Sequence, residues 1–72
     1  MKTIKIKVGG MGCRHCVKAV EQALQKLAGV ESVRVDLDSG IAELVYDDSL
    51  FDLLKAGEAI TEEGYVYLGV LE

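Results

Sequence analysis

The apolar positions of the chain follow two spacings that alternate along its length. In "TIKIKV", Ile4, Ile6 and Val8 take one side of a period-two pattern while Lys5 and Lys7 take the other. That alternation predicts a half-buried strand. The glycine-rich "GGMGC" follows as a loop. From Arg14 to Ala28 the period lengthens, and Cys16, Val20, Ala23, Leu24 and Leu27 fall on one helical stripe. Lys18, Glu21, Gln22, Gln25 and Lys26 form its wet side, and Gly29 stands where a glycine commonly ends a helix.

"SVRVDL" returns to strict alternation, with Val33, Val35 and Leu37 facing in. "DSG", Asp38 to Gly40, reads as a hairpin turn and "IAELVY" as the returning strand. Ser49 with Asp52 three residues on resembles a capping box. It predicts a second helix with Leu50, Leu53, Leu54 and Ile60 as its apolar residues, interrupted by Gly57 and ended by Gly64. "YVYLGVL" is a last strand with apolar residues on both faces, so its register stays open. The order is strand, helix, strand, strand, helix, strand. With right-handed crossovers both helices lie on one face of a four-stranded antiparallel sheet. The fold class is α+β, a ferredoxin-like βαββαβ sandwich. Many functions use that fold, so chemistry must decide among them.

The 72 residues are expected to form one domain, 1–72, and half of them are hydrophobic, enough for one compact core. The net charge of −4 carries no basic stripe, which argues against nucleic acid as a partner. Lys2, Lys5 and Lys7 precede the loop and Arg14 and Lys18 sit in or beside it, so that end is more basic than the rest. Arg14 and Lys18 either meet an acidic partner surface or are simply solvated. No apolar run approaches the ~18 residues of a membrane span. No leader pattern is visible, so the expected location is the cytoplasm, where thiols stay reduced and a structural disulfide is not expected.

The chemistry is concentrated in "GGMGCRHCV", residues 9–17, which holds both cysteines and the single histidine. Cys13 and Cys16 are three apart at a predicted helix start, where neighbouring side chains meet. Two sulfurs on one metal at roughly 2.3 Å each can be no more than about 4.6 Å apart. The helix terminus favours negative charge, hence thiolate, which is the metal-binding form. Cys16 lies in line with the buried stripe and is expected to be the less accessible; Cys13 is expected to be exposed. Thiolates select Cu(I), Zn(II) or cluster iron. A structural zinc site wants four ligands and a cluster four cysteines, so two thiolates suit Cu(I), with space for a third sulfur from another protein. The same spacing is open to thiol–disulfide chemistry and to two structural core cysteines.

"GMGCRHCV" resembles the GMxCxxC motif of heavy-metal-associated domains, the copper chaperone family, at Gly10, Met11, Cys13, His15, Cys16 and Val17. "KAVEQAL", "GVESVRVDL" and "EEGY" extend the resemblance over nearly the whole chain. It implies the same βαββαβ fold, with Cys13 and Cys16 as ligands of one soft ion, usually Cu(I). It also implies delivery to the matching domain of a copper-transporting P-type ATPase. Met11 resembles the family methionine that packs under the loop rather than binding metal. Tyr65 matches a position near the metal, occupied by Tyr in bacterial chaperones. It either shields the ion and gives the sulfur a weak donor or closes the core edge. His15, between the cysteines, is expected to point away from both. Gly12 departs from the usual Thr or Ser and lacks the Asp of zinc- and cadmium-handling domains, which leans toward Cu(I).

The expected function is therefore a non-enzymatic cytosolic copper chaperone. The ion could instead be Ag(I), Zn(II) or Hg(II). A metal-bridged homodimer with four sulfurs is a further expectation. The alternatives are a metal-binding domain of a P-type ATPase, a mercury- or zinc-handling protein, and, from another class, a thiol oxidoreductase.

Overall fold

The computed structural model describes residues 1–71. The elements are β1 (Lys2–Gly9), α1 (Arg14–Gln25), β2 (Val30–Asp36), β3 (Ile41–Tyr46), α2 (Leu53–Glu62) and β4 (Val66–Leu71). The strands form one antiparallel sheet in the order β2-β3-β1-β4, with β1 and β3 central. The ferredoxin-like βαββαβ arrangement follows, as the alternating periods require.

The core lies between the sheet and its helices. Ile6 and Val8 of β1 and Ala42 and Leu44 of β3 face Val20 and Leu24 of α1 and Ala56 and Ile60 of α2, and all are buried. Ile6 opposes Ala42, so a large residue on one central strand meets a small one on the next. No buried side-chain polar atom among the described residues lacks a partner. Removing a large side chain from this cluster therefore costs packing alone.

Several boundaries differ from the sequence pattern. α1 stops at Gln25 rather than Ala28: Lys26 is its C-cap and donates its N–H to the Gln22 carbonyl, while Leu27 N–H donates to the Leu24 carbonyl. Leu27 still packs against the core, but from a turn, and Gly29, at φ 84°, belongs to the entry into β2. β2 accordingly begins at Val30. Periodicity alone could not separate a last helical turn from an apolar residue held by a loop.

The second helix is capped by Asp52, not Ser49. The Asp52 carboxylate accepts from the Leu54 N–H at 3.0 Å, whereas the Ser49 hydroxyl donates to Asp47 at 2.7 Å. Starting the helix at Leu53 rotates its inner stripe onto Ala56 and Ile60, four residues apart. Leu50, Leu53 and Leu54 are then exposed, Leu54 by 72%. Asp52→Ala should lower stability by about 1 kcal/mol, a fall in Tm of roughly 4–8 °C for a domain of this size. Thermal unfolding followed by circular dichroism measures it.

α2 ends through Gly64 at φ 89°, whose N–H donates to Thr61 while Tyr65 N–H donates to Ile60. This double return satisfies the last carbonyls and turns the chain toward β4. The open register of β4 resolves through a bulge. Tyr67 opposes Val8 on the inner face, and Val66 and Leu68 lie outside. The register then shifts at Gly69, φ 104°, so that Val70 opposes Ile6. One extra residue reverses the alternation, which is why both faces read as apolar.

Candidate metal centre

Cys13 is the N-cap of α1, with extended backbone at φ −158° and ψ 169° and no side-chain cap bond. Its carbonyl accepts from Cys16 N–H at 3.1 Å and from Val17 N–H at 3.3 Å. Cys16 follows in the first turn. The helix thus fixes the relation of the two residues, and the sulfurs lie 2.9 Å apart. Both are free thiols, with Cys13 exposed and Cys16 half-buried. The expected difference in access is therefore present, because Cys16 sits one turn above buried Val20.

No acidic residue occupies the first turn of α1. The helix terminus has no carboxylate of its own there, and the thiolates are the anions available to it. The Cys16 thiol is lowered from an ordinary value of 9.0 to about 7, chiefly by its hydrogen bond with Cys13. The Tyr65 hydroxyl and the Gly12 backbone contribute further in the same direction. Tyr65 is pushed up to about 12, first by that hydrogen bond and then by burial, so its hydroxyl keeps its proton at neutral pH.

The sign of the pH dependence follows. A thiol whose folded value lies below its unfolded value stabilises the fold fully above about 9, and that contribution is lost as pH falls through about 7. Thiolate absorbance at 240 nm should rise with one midpoint near 7, and alkylation by iodoacetamide should accelerate over the same range.

The other motif residues fall into distinct places. Met11 is half-buried and packs against the core cluster. Tyr65 is half-buried against the same cluster, which is the core-edge packing weighed for it. Gly12 is exposed, and a Cβ there would meet nothing within 4 Å. His15, Arg14 and Lys18 are exposed along α1. Two further contacts of Tyr65 were not expected from the sequence. Gly10, at φ 87°, brings the loop against the Tyr65 ring, 3.8 Å from where a Cβ would stand. The charge of Glu63 also acts on Tyr65. The paired glycines of "GG" were the available signal for the first; nothing in the spacing announced the second.

Among the described residues, no group of three or more His, Cys, Asp and Glu converges on one point. The donor set is two soft sulfurs at an exposed helix start, with a tyrosine hydroxyl behind one of them. That set is suited to one soft, low-coordinate cation.

A small βαββαβ domain with a paired-thiol loop at the start of its first helix is a class of metal-binding protein, and comparison with known proteins defines it. The chain belongs to the heavy-metal-associated domain family, which matches residues 5–65. It is 50% identical over 60 residues to the copper chaperone CopZ of Staphylococcus epidermidis, covering 83% of this chain and 88% of that one. Its fold superimposes with a TM-score of 0.90 on a CopZ metallochaperone at 37% identity, covering 93% of this chain and all of the other. It superimposes with a TM-score of 0.92 on a copper-binding domain from HMA7, a P-type ATPase, at 32% identity, covering 100% of this chain and 96% of that one.

Proposed function

We propose that this protein is a cytoplasmic copper chaperone. It carries one Cu(I) between the thiolates of Cys13 and Cys16 and gives it up to a metal-binding domain of a copper-transporting P-type ATPase. The observation that carries the reading is the pair of sulfurs 2.9 Å apart at an exposed helix N-terminus. The similarity to copper chaperones and to a P-type ATPase domain supports it.

The geometry explains how an ion could be both held and released. Near-linear coordination by two sulfurs needs them about 4.6 Å apart. They must therefore open from 2.9 Å. Cys13 is the one able to move, since its side chain is exposed and makes no cap bond. Cys16 is held within the first turn of the helix. An incoming partner thiolate would add on the open side to give three sulfurs, after which Cys13 leaves first. A second partner thiolate then displaces Cys16. Copper stays monovalent throughout. Each thiol that leaves takes up a proton, and each that joins gives one up, so charge and protons balance. Only copper–sulfur bonds are exchanged, and the protein acts as a carrier rather than an enzyme.

Zn(II) prefers four donors, and one chain offers two thiolates. Ag(I) shares the soft, low-coordinate preference and is expected to compete. The test is an anaerobic Cu(I) titration of the reduced protein against a competing chelator, with Zn(II) and Hg(II) beside it. The expected result is tight Cu(I) binding at one ion per chain and weak Zn(II). One ion per two chains would identify the four-sulfur bridged dimer as the carrier form. Weak Cu(I) beside tight Zn(II) or Hg(II) would overturn the copper assignment. Turnover of a disulfide substrate by the metal-free protein would favour the oxidoreductase alternative. Transfer is then followed from the loaded protein to a purified ATPase metal-binding domain.

A further inference from the structure

The two edges of the sheet are finished differently. β2 is sealed from above by α1: the Glu21 carboxylate accepts from Val35 N–H at 3.3 Å, and the Gln25 amide donates to the carbonyls of Val30 at 3.5 Å and Glu31 at 3.3 Å. The strand also carries Glu31, Arg34 and Asp36 and a register shift between Val30 and Ser32. These are the devices by which edge strands avoid pairing. β4, "VYLGVL", carries no charge and no proline, and its bulge at Gly69 is its only interruption. Val66 and Leu68 stand 53% and 56% exposed on its open face.

On the helix side of β4 runs an open groove of about 550 Å³, with Leu53, Leu54, Gly57 and Tyr67 forming its apolar part. Gly57 keeps it open, since a Cβ there would come within 3.3 Å of the Tyr67 ring. Neither cysteine nor Tyr65 lines it. Glu58 and Glu62, one helical turn apart, are its charged groups, and no cation lines it. The ion pair found among the described residues, Lys2 with Asp48, does not involve them.

Those carboxylates decide what fits. A second copy pairing β4 to β4 about a two-fold axis would keep all helices on one side of a continuous sheet. It would set the two rows of Glu58 and Glu62 facing each other, between chains that each carry −4. A segment bringing cations has no such conflict. We propose that the free edge of β4 and its groove dock an extended segment of a different protein, which adds as a fifth strand antiparallel to β4. A strand in that direction runs alongside α2 from Leu53 toward Glu62. It places an aliphatic side chain over Leu53, Leu54 and Tyr67 and, two residues on, a lysine or arginine at Glu58 and Glu62. Its alternate residues cover Val66 and Leu68 and are apolar.

The test uses the reduced 15N-labelled protein and a blocked synthetic hexapeptide, Thr-Leu-Val-Lys-Val-Thr, beside a counterpart with Glu in place of Lys. Expected are saturable amide shifts confined to β4 and the groove side of α2. Affinity should fall about fivefold for the Glu peptide and for Glu58→Gln with Glu62→Gln, the scale of two exposed ion pairs. Cu(I) binding by the double variant should be unchanged. Absence of saturable shifts at millimolar peptide would overturn the proposal, as would equal binding of the two peptides. Sedimentation of the protein alone as a dimer with protected β4 amides would assign the edge to a second copy and overturn it too.

Discussion

Cys16→Ser and Cys13→Ser should each reduce Cu(I) affinity by several orders of magnitude, while only Cys13→Ser should stabilise the fold. A serine hydroxyl is neutral at pH 7 and a hard oxygen donor, unsuited to a soft monovalent ion. One remaining thiolate leaves the ion open to any competing chelator. The fold responds separately. Cys13 is the N-cap of α1 and makes no side-chain cap bond. Serine is among the best N-cap residues, contributing about 1 kcal/mol over residues that cannot cap. Cys13→Ser should therefore raise the Tm of the metal-free protein by roughly 4–8 °C while abolishing copper binding. Cys16→Ser lies within the first turn rather than at the cap position, and should bring no such gain. Chelator competition and thermal unfolding on the same samples separate the two effects. A Cys13→Ser protein no more stable than the parent would mean that the loop cannot present a cap, and that its geometry is set by something other than the helix.

Gly29→Ala should be the most damaging single-methyl change outside the core. The residue sits at φ 84°, and an added Cβ would lie 2.7 Å from Phe51 N, 2.9 Å from Asp47 O and 3.0 Å from the Leu50 carbonyl carbon. All three are backbone atoms, so no side chain can swing aside. The Gly29 carbonyl also accepts from Asp47 N–H at 2.7 Å, tying the entry of β2 to the segment before α2. The left-handed conformation costs about 1–2 kcal/mol for alanine and the overpacking about 1–3 more. A domain of this length has roughly 4–11 kcal/mol in total. The variant should lose about half of that in a denaturant melt. Gly64→Ala has a similar φ of 89° but open space around it, and should lose only the conformational part, about 1–2 kcal/mol. Equal losses at the two sites would show that the contacts around Gly29 relax freely.

The fold was largely legible because β1, α1, β2 and β3 each have a clean period. Ile4, Ile6 and Val8 fixed β1, and the Val20 and Leu24 pair fixed the inner side of α1. Errors arose where two devices compete for one signature. Ser49 reads as the cap with Asp52 as its capping-box partner, but the Asp47 carboxylate engages Ser49, leaving Asp52 to start the helix three residues later. That shift left three leucines outside. The two thiols were legible from their spacing and from the family motif. The approach of Gly10 to the Tyr65 ring was not, since it depends on two segments far apart in sequence.

The sealed β2 edge limits how these molecules could ever accumulate. Growth of a β-sheet into a filament needs two receptive edges on every subunit, one to add and one to be added to. With Glu21 and Gln25 occupying the backbone of β2, each molecule has one receptive edge. Any strand-to-strand association must therefore stop at two chains. A chain with one edge closed in this way can leave β4 bare without the risk of polymerising.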